Sequence, residues 1–134
     1  GFRDRLQARG TPLDCVLETS HYSREQGVQS LLRYMASTPR DQRLEALFCE
    51  DDILAIGALD ALTSMGAQHR IAIVGFDDIE MASAPPYELT TFRQPLDYLV
   101  SEAIRRLLEP EAAATGSLLA PGTLVLRASH RRVA

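Results

Sequence analysis

Two pairs of neighbouring carboxylates, Asp51-Asp52 and Asp77-Asp78, are the residues of this sequence best suited to chemistry. Each pair follows a short apolar run of strand length. Adjacent parallel strands bring their carboxyl ends to one edge, the edge at which open α/β sheets bind ligands. A carboxylate there accepts hydrogen bonds from two neighbouring hydroxyls of a polyol, and such charge-assisted bonds are the stronger kind. The same residues can instead cap the helical segments that follow, because Asp is a favoured N-cap and a negative charge suits a helix amino terminus. We divide the roles within each pair, assigning Asp51 and Asp77 to a ligand and Asp52 and Asp78 to helix capping. Paired carboxylates can also act as general acid and base, or hold a metal. No nucleophile elbow, glycine-rich phosphate loop or paired His ligands accompany them here. His21, His69 and His130 lie far apart without metal-ligand spacing and read as surface or loop histidines. We expect a binding protein with no enzymatic activity, cofactor or metal.

Two further residues belong with the acids. Tyr22 lies in Thr19-Ser-His-Tyr-Ser23, directly after an apolar run and before a helix, so it falls at the same edge. An aromatic face there can stack on the C–H face of a sugar, or the ring can pack on its own turn. Gln94, before Pro95, can donate to and accept from a hydroxyl, or satisfy backbone where the chain changes direction.

The elements that must position these residues alternate along the chain between short apolar runs and helix-spaced stripes, as in repeating βα units with a mainly parallel sheet. The strand candidates are Leu13 to Leu17, Leu44 to Cys49, Ile71 to Phe76, Leu124 to Leu126 and, more weakly, Leu89 to Phe92. Ser23-Arg-Glu-Gln26 is a capping box that opens a helix carrying Val28, Leu31, Leu32 and Met35 and stopping at Pro39. A second helix, Ile53 to Met65, ends at Gly66 and is apolar almost all round, so both of its sides should be covered, one by the sheet and the other by a partner subunit. A third, Leu96 to Leu108, is amphipathic, and 109–122 reads as a loop. Phe2 and Leu6 mark a short first helix broken by Gly10 and Pro12. The chain begins with Gly1 inside that helical pattern, so a fragment of a longer protein is expected.

Composition narrows the possibilities. With 134 residues, 46% hydrophobic and 24% charged, the chain suits a globular domain that needs no disulfide or metal staples. No apolar run approaches the roughly 20 residues of a spanning helix, and no signal pattern opens the chain, so a cytoplasmic location is expected. Cys15 and Cys49, both in apolar runs, read as buried free thiols. A net charge of −4 disfavours nucleic-acid binding by this segment, and Arg127, Arg131 and Arg132 read as a small basic tail.

Several of these pieces together resemble the effector-binding domain of LacI/GalR-family bacterial transcription regulators. They are Gly1-Phe2, Tyr22-Ser23 with Gly27 and Leu31-Leu32, Ala46 to Leu59, Ile71 to Asp78, Leu89-Thr-Thr91 with Gln94-Pro95, and Leu124 to Ser129. The resemblance implies an α/β three-layer sandwich, one lobe of a type I periplasmic-binding-protein-like fold. It implies a carboxyl-terminal lobe of about residues 1–92 plus a last strand at 123–128, with the crossover and helix at 93–110 belonging to the other lobe. It further implies a sugar or metabolite effector held by Asp77, Tyr22, Asp51 and Gln94, and DNA bound only through a helix-turn-helix domain outside this chain. A homodimer would meet through the helix at 53–65 and the Ala84–Tyr87 loop, with Ile53, Ile56, Leu59, Asp60, Pro85, Pro86 and Tyr87 at the interface. A periplasmic or transporter-associated sugar-binding protein shares the architecture and is the alternative.

Overall fold

A computed structural model of the chain describes residues 1–11, 13–68, 70–109 and 120–131. Among these residues four strands form one sheet in the order β1 (Ala46–Phe48), β2 (Ala72–Phe76), β3 (Thr90–Arg93) and β4 (Thr123–Val125). β1 pairs with β2 and β2 with β3 in parallel, and β4 closes the far edge antiparallel to β3. Among the described residues four α-helices accompany the sheet: α1 (Phe2–Ala8), α2 (Arg24–Ser37), α3 (Asp52–Ser64) and α4 (Leu96–Leu108).

α2 and α3 pack on each other and on one face of the sheet. Leu31 and Met35 from α2, Ala55, Ile56, Ala58, Ala61 and Leu62 from α3, Ile73 from β2 and Leu89 just before β3 meet in the core. The two helices approach closely because glycines meet at their crossing. A Cβ on Gly27 would lie 3.1 Å from the Gly57 Cα and overlap the Leu54 carbonyl oxygen. Side chains alternate across a strand, so Phe48, Val74, Phe76 and Phe92 fall on the opposite face. There Phe2 of α1 stacks on Phe48 with ring centroids 4.6 Å apart, and Phe76 stacks on Phe92 at 5.4 Å.

Helix ends are set largely as the sequence predicts. Ser23 is the N-cap of α2, its hydroxyl accepting from the Gln26 amide at 3.2 Å, but the reciprocal half of the capping box is not formed, since the Gln26 side chain accepts from Ser20 instead. At the other end Arg43 donates to the carbonyls of Met35 and Thr38, covering acceptors that no further helical turn satisfies.

Three expectations change. Leu13 to Leu17 forms no strand, because an apolar run becomes a strand only by pairing and this one has no sheet partner among the described residues. Its Cys15 is consequently exposed, whereas Cys49, at the end of β1, is buried. Arg127 is not part of a basic tail. After β4 the chain folds back along β2 and β3, where Ser129 joins Ile73 to Thr90 through its hydroxyl, and Arg127 is half-buried. α4 buries none of its residues, and Leu96, Val100, Ile104 and Leu107 are each more than half exposed. No helix among the described residues is long and apolar enough to cross a membrane. His69, Arg132 and most of the loop expected over 109–122 lie outside the described residues.

Candidate functional site

Because β1 and β2 run parallel in register, Phe48 opposite Val74, their carboxyl ends deliver Glu50-Asp51 and Asp77-Asp78 to the same edge. β3 ends beside them and brings Gln94, whose side-chain amide donates to Asp77. These two residues line a cleft of about 490 Å3, with Asp78, Arg93, Pro95, Leu96, Asp97 and Tyr98 as the remaining walls. Tyr22 stands on the same rim but outside that cleft. The residue is 66% exposed, and its hydroxyl donates to Glu50 at 3.4 Å, which leaves the ring free to stack on a guest. A larger hollow of about 640 Å3 lies between residues 16–18 and α2, away from the strand ends.

Within the first acidic pair the structure moves the capping role from Asp52 to Asp51. α3 begins at Asp52, one residue earlier than the apolar pattern indicates, so Asp51 is the extended residue that caps it, accepting from the Ile53 amide at 2.6 Å. A carboxylate has a second oxygen to offer, so capping leaves Asp51 able to face the rim. Asp52, expected as the cap, is completely buried and accepts from the Thr91 hydroxyl at 2.6 Å and the Ile79 amide at 3.0 Å. Burial raises its carboxyl above the ordinary Asp range, the bonds from Thr91 and Ile79 offset part of that, and the Asp77 charge adds to it. Burial also pushes the Cys49 thiol up to about 12, assisted by the negative charges of Asp52 and Asp51.

Asp78 is not a cap either. The 3-10 turn after it starts at Glu80, with Ile79 in the cap position and no side-chain bond. A positive φ of 56° turns Asp78 back toward the sheet, where its carboxylate accepts from Arg127 at 2.7 Å and from Arg93. Its side chain is 4% exposed. Burial pushes its carboxyl upward, but hydrogen bonds and charge from Arg127 and Arg93 outweigh that and hold it below the usual range. Sequence reasoning missed both arginines and Thr91, since their contacts with the acids span 15 to 49 residues and only the fold brings them together. The signal for Glu50 lies in its place beside Asp51 after a strand.

The interface residues inferred from resemblance divide into two groups. Ile56 is fully buried in the core and is no interface residue, because the side of α3 that carries it packs within this chain. Ile53 and Leu59 are half-buried, while Pro85 and Pro86 are exposed. Asp60 and Tyr87 are partly occupied within the chain. The Arg24 guanidinium donates to both, and the Tyr87 hydroxyl donates to Asp60 at 3.3 Å. His130, read as a surface histidine, is half-buried, its Nδ1 2.8 Å from the Thr90 hydroxyl, and His21 is exposed. Among the described residues no cluster of His, Cys, Asp and Glu has metal-binding geometry.

Comparison with known proteins places the chain in a family. The sequence profile of the periplasmic binding protein-like domain matches residues 1–130. The ribose operon repressor of Escherichia coli K12 is 31% identical over 116 residues, which cover 82% of this chain and 34% of that protein. The HTH-type transcriptional repressor PurR of Escherichia fergusonii is 36% identical over 87 residues, 63% of this chain and 25% of the relative. The chain thus spans about a quarter to a third of these relatives' length. In three dimensions it is similar to the lac repressor dimer bound to operator and the anti-inducer ONPF, with a TM-score of 0.83 and 27% identity over 99% of this chain and 46% of the other. A LacI-family regulator from Sanguibacter keddieii gives a TM-score of 0.79 and 27% identity over 96% of this chain and 51% of the other.

Proposed function

The chain belongs to the periplasmic binding protein-like domain family, and from that premise we propose that it is the ligand-sensing and dimerising part of a LacI-type transcription regulator. The guest is a sugar or related small metabolite, and its binding alters operator affinity through a helix-turn-helix domain outside this segment. The observation that carries this reading is the meeting of Asp77 and Gln94 in one cleft at the carboxyl edge of a parallel sheet, with Tyr22 and Asp51 on the same rim. Carboxylate and carboxamide grip hydroxyls, Tyr22 stacks on the apolar face, and nothing in the cleft supplies a nucleophile paired with a base, so the site holds its guest without transforming it. The relatives are named as the ribose operon repressor and the HTH-type transcriptional regulators PurR and AscG, which supports the regulatory role, and the ribose operon supports a small-metabolite guest.

In this reading residues 1–92 and 123–128 form one lobe, and 93–110 belongs to a second lobe that closes over the guest in the cytoplasm. The apolar stripe of α4 is covered by that lobe or by another copy, and Ile53, Leu59, Pro85 and Pro86 face the dimer partner. A guest shifts the regulator only by its differential affinity for two hinge states, typically about 1 to 3 kcal/mol. A melting-temperature screen of the intact protein against sugars and related small metabolites identifies the guest, because binding to the native state raises apparent stability. Asp77→Ala in the intact protein should then abolish the response to that guest and leave operator binding intact. An unchanged response rejects the assignment.

A further inference from the structure

We infer that Asp52, Thr91 and Gly75 are positioning residues: together they clamp the turn that presents Asp77 to the cleft. That turn is unfavourable on its own. Asp77 and Asp78 adopt φ of 116° and 56°, left-handed values that cost a residue with a side chain and persist only where the surroundings over-determine them. Here three successive backbone amides are each given an inward partner. The Asp77 amide donates to the Phe92 carbonyl at 2.9 Å, the Asp78 amide to the Thr91 hydroxyl at 3.3 Å, and the Ile79 amide to the Asp52 carboxylate at 3.0 Å. The Thr91 hydroxyl in turn donates to the other Asp52 oxygen at 2.6 Å, so hydroxyl and carboxylate act as one unit. With all three amides drawn inward, the Asp77 side chain is left for Gln94 and the cleft.

Gly75 completes the device. A Cβ there would overlap the Asp52 carboxylate oxygen and lie 3.0 Å from Leu89 Cδ2, so only glycine admits a buried carboxylate beneath β2. The glycine two residues before Asp77 thus exists for the acid on α3 that reaches under it. Asp52 and Thr91 are fully buried and have no access to a guest, so their effect on binding passes through the turn alone.

The importance of the clamp for binding rests on the proposed role of Asp77, but its existence is tested without any guest. Hydrogen–deuterium exchange of the intact protein is followed over residues 77–79 and, as reference, over the buried turns of α2 and α3. In Thr91→Val and in Asp52→Asn one acceptor is lost, and exchange at 77–79 should accelerate about tenfold or more while the reference segments stay protected. Thr91→Ser keeps the hydroxyl, folds whether or not the valine variant does, and should restore slow exchange. Unchanged protection at 77–79 in both loss variants, acceleration of equal size in the reference segments, or failure of Thr91→Ser to restore protection overturns the proposal. Binding of the guest found for the wild-type protein is measured separately. A clamp that holds in exchange, together with an Asp77→Ala variant that still binds, would refute the site and spare the clamp.

Discussion

Substituting Gly57 by Ala tests the geometry that brings the rim together. On an exposed helix the change would stabilise the protein by about 1 kcal/mol through helix propensity. Here the new methyl would overlap the Arg24 carbonyl oxygen and lie 2.9 Å from the Val28 amide nitrogen and 3.0 Å from the Arg24 carbonyl carbon. All three are backbone atoms of α2, which cannot rotate away as a side-chain tip can, so α2 and α3 must separate. Overpacking of this kind costs about 1 to 3 kcal/mol, and a backbone clash belongs at the top of that range. The net loss is then about 2 kcal/mol, roughly 6 to 8 °C in melting temperature for a domain of this size. Gly27→Ala meets the Leu54 carbonyl oxygen at the same crossing and should behave alike. The double variant should cost less than the sum, because helices already parted for one methyl accommodate the second. Thermal unfolding followed by circular dichroism reads all three. A rise in melting temperature for Gly57→Ala would show that propensity wins and that the crossing is looser than described.

Other expectations follow from the charges and thiols. Asp78 has its carboxyl lowered on folding, so its ion pairs contribute stability above the ordinary Asp value of 3.8 and lose that contribution as pH falls through the lower folded value. The stability difference between wild type and Asp78→Asn in urea should therefore be constant near neutrality and shrink below about pH 4, and a pH-independent difference would contradict the pairing. Arg127→Met, which leaves Arg93 to neutralise Asp78, should cost about 1 to 3 kcal/mol, whereas no change would mean the guanidinium is solvated rather than bonded. A maleimide should label exposed Cys15 within minutes and leave Cys49, with its thiol pushed up to about 12, unmodified until the chain is denatured. Mass spectrometry showing two labels on the native protein would contradict this. Finally, an uncovered α4 stripe should promote association of this segment when alone, and Ile104→Glu with Leu107→Glu should reduce it, as read by sedimentation; a monodisperse monomer before substitution refutes that expectation.

Periodicity and capping residues made much of this fold legible, because α2, α3 and α4 each carry an apolar pattern that only a helix explains and β1 and β2 are short apolar runs followed by acids. What failed was pairing information. Leu13 to Leu17 has the composition of a strand and no partner among the described residues, and nothing local distinguishes it from β1. At the site, the strand-end rule brought Asp51, Asp77 and Gln94 to one edge, whereas Tyr22 reaches that rim through Glu50 although the run before it forms no strand. The capping assignment failed within each pair because it turned on a single residue of helix register at Asp51 and on backbone handedness at Asp78, neither of which composition encodes. Ile56 was misplaced for a related cause: a helix apolar all round does not reveal which side its own chain will cover.

The paired guanidiniums on Asp78 also constrain how this sequence can drift. While Arg93 and Arg127 both remain, either one can be replaced and the acid keeps a bonded cation. Once one is gone the other becomes indispensable, because losing it strands a charge that has left water behind. Replacing the acid first is worse, since two positive groups then face each other with nothing between them. Substitutions at these three positions are therefore viable in some orders and not in others, and lineages that keep only one of the two arginines should keep the aspartate without exception.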